Sequence, residues 1–153
     1  MTTEAFEKLA TEIRGHRWYG RVWIKRVALE RSTTETAQAR ADALVTSLDL
    51  TPSPVWYDMS RSEAKKGATS ILHRDLAYDS KIMPADDASR LAKSFLGFFT
   101  NGDDVKYFTN GTLIKPSRES GRGWNAITDA TFDCGIIAVA ENSVGILWVA
   151  DED

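Results

Sequence analysis

The chain is poor in the residues that build reactive or metal-binding centres. It has one cysteine, Cys134, and two histidines, His16 and His73, far apart in sequence. A lone cysteine cannot close an internal disulfide, and this set offers no metal-ligand spacing, so neither a disulfide framework, a metal centre nor a cofactor is predicted. No apolar run approaches the roughly 18 residues of a membrane span, and the flanks of a signal peptide are missing. These absences predict a cytoplasmic protein with no membrane contact. No internal repeat, low-complexity tract or second domain is visible, so residues 1–153 are read as a single domain.

Catalytic signatures are missing too. His73-Arg74-Asp75-Leu76 has the letters that open a protein-kinase catalytic loop. There the Asp accepts the substrate hydroxyl proton and an Asn five residues later holds magnesium. Here that later position is Ser80, no Asp-Phe-Gly follows, and the one Gly-x-Gly, Gly121-Arg122-Gly123, lies downstream of the loop it would have to precede. The chain is also too short for two kinase lobes. His73 with Asp75 or Asp79 could share a pocket, and Asp129 with Asp133 could act as paired carboxylates, but solvated or capping roles account for the same letters. In "FDCGIIAVA" Cys134 reads as a small buried strand residue rather than a nucleophile.

What the chain does have is ordinary globular composition, 42% hydrophobic and 27% charged, with a net charge of −3. The charge is unevenly placed. Arg14, Arg17, Arg21, Lys25, Arg26 and Arg31 against Glu30 give +5 over residues 14–31, leaving −8 for the rest. Asp103, Asp104, Asp129, Asp133 and the terminal Asp151-Glu152-Asp153 carry much of that acid.

Periodicity predicts helices first. "TTEAFEKLATEIRGH" can be capped by Thr2 or Thr3, places Phe6, Leu9, Ala10 and Ile13 on one stripe, and meets Gly15 as a stop. "WYGRVWIKRVALE" reads as a strand with neither face purely polar, Val22, Ile24 and Arg26 opposing Trp23, Lys25 and Val27, although a helix remains an alternative. A second helix follows, with Ala37, Ala41, Leu44, Val45 and Leu48 inward, and Thr51-Pro52-Ser53-Pro54 ends it. Ser60-Arg61-Ser62-Glu63 fits a capping box opening a third helix, with His73 and Asp75 on or beside its flank. Pro84 in a first turn, with Asp86 and Asp87, opens a fourth.

After residue 101 the pattern turns to short β runs. Asn110-Gly111 between two apolar runs predicts a tight hairpin. A second hairpin joins 135–140 to 144–150 through Glu141-Asn142-Ser143, and its apolar strands should be covered on both faces. The fold class predicted is α+β, about four helices on a mainly antiparallel sheet of four to six strands, with the C-terminal hairpin central.

Two binding surfaces can be read from these letters. "RGHRWYGRVWIKR" combines cations with Trp18, Tyr19 and Trp23, which could contact phosphates and stack on bases. The acidity of the whole chain argues against nucleic acid, and a strand with aromatics inward and arginines outward would look the same. The polar loop "SRESGRGW" matches no phosphate-binding fingerprint. At the other end of the chain, Trp124 precedes Asp129 and Asp133, and Trp148 precedes Asp151, Glu152 and Asp153. Aromatic anchors beside carboxylates suit a basic protein partner, the rings supplying buried area and the acids steering and complementarity.

In its size, acidity, helix-rich first part, sheet-rich end finishing in "GILWVADED" and lack of a catalytic motif, the chain resembles the small cytosolic immunity proteins that bacteria encode beside polymorphic or contact-dependent toxins. The resemblance implies a non-enzymatic inhibitor that binds a cognate toxin domain, often a basic nuclease, one-to-one and blocks its active site or an essential exosite. A nucleic-acid-binding protein using residues 14–31, or a small-molecule enzyme using His73, stand as alternatives.

Overall fold

The computed structural model describes residues 2–29, 35–99, 104–111 and 125–152. Helix α1, Thr3–His16, is capped by the Thr2 hydroxyl, which accepts from the Ala5 amide at 3.0 Å. It runs through Gly15, because an exposed glycine in a last turn weakens a helix without ending it. Strand β1 is Arg21–Ala28 and helix α2 is Ala37–Ser47, capped by Thr36. A short strand β2, Tyr57–Met59, precedes helix α3, Arg61–His73, which opens with the predicted capping box. Helix α4, Ala85–Gly97, follows; Pro84 stands at its N-cap rather than inside its first turn. Strands β3 (Lys106–Thr109), β4 (Phe132–Val139) and β5 (Ser143–Asp151) complete the elements of the described residues.

The five strands form one antiparallel sheet in the order β1-β5-β4-β3-β2. The protein is therefore α+β, with the β4-β5 hairpin inside the sheet. Every residue of β4 and β5 is buried, because the sheet is covered on both sides. Helices α1, α3 and α4 bury Phe6, Ile13, Ile71, Leu91 and Phe95 against Ile136, Leu147 and Val149. Helix α2 packs Ala41, Leu44 and Val45 against the opposite face, on Ile137, Ile146 and Trp148. Alternation along each strand sends successive side chains into these two cores, which is why β1 shows no polar face.

Strands β2 and β4 occupy the two edges of β3, which ends just before the hairpin expected at Asn110-Gly111. Its second run, 112–114, and the loop "SRESGRGW" lie outside the described residues.

Candidate protein-binding surface

One end of the sheet gathers the start of β1, the end of β5 and the start of β4. Phe132 pairs with Asp151, and Arg21 with Ala150. The residue that organises this end is Arg17, just past the C-terminus of α1. Its side chain and that of Asp151 are both 0% exposed. The guanidinium grips the carboxylate with two parallel bonds, Nη1 to Oδ1 at 3.0 Å and Nη2 to Oδ2 at 2.8 Å. Its remaining donors reach the Ile71 carbonyl at 2.8 Å and the Tyr19 carbonyl at 2.6 Å. The Leu76 amide donates to Asp151 Oδ2 at 2.8 Å. A single buried ion pair thus ties α1, α3, the 74–81 turn and β5 together. Gly20 lets it close: its φ is +75°, and a Cβ there would run into Asp151.

The chain leaving this clamp points its aromatic rings outward. Trp18 is 69% exposed and Tyr78 is 63% exposed. Trp18 is anchored by its side chain and Tyr78 by its backbone. Trp18 stacks edge-on to Tyr19 with centroids 5.9 Å apart, and its indole N–H donates to the Ile82 carbonyl at 3.3 Å. The Tyr19 hydroxyl donates to the Glu152 carbonyl at 2.9 Å. Desolvation first, then the carboxylates of Asp75 and Asp151, push the Tyr19 phenol above its ordinary value, and Tyr78 is near enough to add to the effect. Tyr78 is held through Asp75, a buried carboxylate that accepts from the amides of Ala77, Tyr78 and Ser80 at 3.0, 2.7 and 2.8 Å. Asp79 turns the chain there at φ 56°, a conformation aspartate tolerates.

The acids expected to meet a partner divide between surface and interior. Asp129 is exposed and paired with Arg21 at 2.7 Å, which holds its carboxyl below the usual range. Glu152 is exposed and accepts from the Thr131 hydroxyl at 2.6 Å. Asp133, Trp148 and Asp151 are interior, correcting their placement on a partner-facing surface. Asp133 accepts from the side-chain amide of Asn110, the amides of Ile127 and Thr128, the Thr128 hydroxyl and the Trp148 indole. It closes the 125–131 loop onto the sheet and makes no pair with Asp129. Trp148 packs edge-on to Trp56 at 6.2 Å. Trp124 and Asp153 lie outside the described residues.

The other candidates are likewise engaged. His73 ends α3 and its Nδ1 bonds the Met83 carbonyl at 2.7 Å, while Asp75 lies beyond the helix and is filled by backbone amides instead of facing His73. Cys134 is buried, and burial, with the neighbouring Asp133 adding, pushes its thiol up to about 12. Among the described residues no three His, Cys, Asp or Glu side chains gather as a metal set, and no helix is long and apolar enough to cross a membrane.

In the basic segment the expected arrangement is inverted at one step: Arg17 is buried and Trp18 is exposed. Arg14 donates to the Ile24 carbonyl at 3.2 Å and Arg21 sits over Trp23. Trp18, Tyr19 and Tyr78 are therefore the aromatic groups that stand beside the chain's acidic end. The sequence signal for the first two was their position between Gly15 and Gly20, ahead of the alternating strand. Compared with protein-family models, curated proteins and solved structures, the chain matches none.

Proposed function

We propose that the protein is a non-enzymatic cytosolic inhibitor of the immunity type, docking a basic cognate toxin domain on the surface made by Trp18, Tyr19 and Tyr78. The observation that carries this reading is the outward display of two large rings on a frame fixed by a buried ion pair. Rigid, exposed aromatics bind with little loss of conformational freedom and are the usual centres of interface energy. Asp79 and Glu152 lie at the same end and supply the sign of charge that a basic partner meets, while Asp129 is paired with Arg21. The nucleic-acid reading draws less support, since Arg14, Arg17 and Arg21 are each committed to partners within the protein.

The test uses the immobilised chain and a W18A/Y78A variant against lysate of the source organism. A protein retained in stoichiometric amount by the parent and lost by the variant is expected. Expressed alone it should arrest growth, and co-expression of the parent chain should restore growth. The double substitution should weaken the complex by about thirtyfold or more, the scale of a hot-spot truncation. Equal retention by both chains, or retention of nucleic acid that salt abolishes, would overturn the reading.

A further inference from the structure

A groove of about 450 Å³ lies between α3 and α4, away from the aromatic end, and is lined by Arg61, Ser62, Lys65, Lys93 and Leu96. Its charge is of one sign. Arg61 and Lys65 sit four residues apart on one side of α3, and Lys93 faces them from α4. The described ion pairs of the protein involve Arg17, Arg21 and Arg90, so none of these three cations has a carboxylate partner among the described residues. They form a local cluster of one sign on a chain whose net charge is −3.

Arg61 is also oriented. Its Nη1 donates to the Tyr107 hydroxyl at 2.6 Å, and Tyr107 is 5% exposed on β3. That bond uses one of five guanidinium donors and fixes the plane of the rest. Ser62 adds a hydroxyl beside it. Leu96, 1% exposed, provides an apolar floor.

We propose that this groove binds a small phosphorylated molecule with at least two linked phosphoryl groups. The volume falls within the range of small-ligand sites and exceeds what one phosphate fills. Cations on two facing helices match an anion long enough to touch both, the fixed guanidinium taking one phosphoryl group in a two-pronged grip and the lysines neutralising the other.

Calorimetric titration of the full chain with pyrophosphate, inorganic phosphate and chloride at matched ionic strength tests the site. Pyrophosphate should saturate one site and bind about tenfold or more tightly than phosphate, since only it reaches both helices. K65A/K93A leaves the Arg61–Tyr107 bond intact and should weaken pyrophosphate by about tenfold or more. K8A/K25A removes the same charge elsewhere and should leave binding within about twofold. Thermal melting without ligand checks the fold of each variant, and K93A alone, at an exposed position of α4, replaces the pair if that variant melts early. No saturable binding of pyrophosphate, or equal weakening by the two double variants, overturns the proposal.

Discussion

Replacing Asp151 with Asn is the sharpest probe of how the molecule is held together. The substitution keeps shape and removes one charge, leaving the Arg17 guanidinium inside the protein with no counter-ion. It also turns an NH2 group toward donors: Asp151 accepts from Arg17 twice and from the Leu76 amide once. Removing one partner of a buried ion pair costs about 3–5 kcal/mol. With a urea dependence of about 2 kcal/mol per molar, the unfolding midpoint should fall by about 1.5–2.5 M. Equilibrium unfolding followed by tryptophan fluorescence and by far-UV circular dichroism measures this. The variant R17M/D151L removes both charges and should recover part of the loss, but only part, because the Ile71 and Tyr19 carbonyls and the Leu76 amide lose partners. A loss below about 1 kcal/mol for D151N, the scale of an exposed pair, would refute the clamp.

Two further outcomes follow from groups that titrate. Cys134, with its thiol near 12, should be labelled by a thiol reagent only as fast as the chain opens, so the rate should rise with urea in step with unfolding; rapid stoichiometric labelling in native buffer would contradict its burial. Glu63 is held below its ordinary value of 4.5, by the Ser60 amide first and the Ser60 hydroxyl second. A depressed carboxyl stabilises the fold above its unfolded value and stops doing so as pH falls through its folded value. The difference in unfolding midpoint between the parent and E63A should therefore be present at neutral pH and shrink on acidification below 4.5; a difference that grows would refute the capping box as its source.

Helices and central strands were legible because their signals are local. The Ser60–Glu63 box and the stripes Phe6, Leu9, Ala10 and Ile13, and Ala41, Leu44 and Val45, are local signals that need no knowledge of partners. The continuous apolar run of β4 and β5 announced burial on both faces. Strand β2 carried no such signal. It has three residues, two of them exposed, and is a strand only because β3 offers it a free edge. Strand pairing is decided by competition among distant segments, and a short window holds no record of the competitors.

The surface was less legible for a related reason. Residue type gives the cost of burying a side chain without a partner, and the partner is what tertiary structure supplies. Asp133, Asp151 and Arg17 read as surface groups because a solitary charge cannot be buried. Each is buried with its donors or acceptors filled by residues from other elements, Arg17 by a carboxylate 134 positions away. Once Arg17 turns inward to that carboxylate, and Gly20 supplies the left-handed turn into β1, Trp18 between them is carried outward. Exposure of the tryptophan is thus a consequence of satisfying the arginine, and the two properties should fail together. In D151N the Trp18 environment should loosen, and partner binding should be lost at denaturant concentrations where the helices remain folded. If binding survives there unchanged, the rings are held by Ile82 and Glu152 alone, and the ion pair serves only stability.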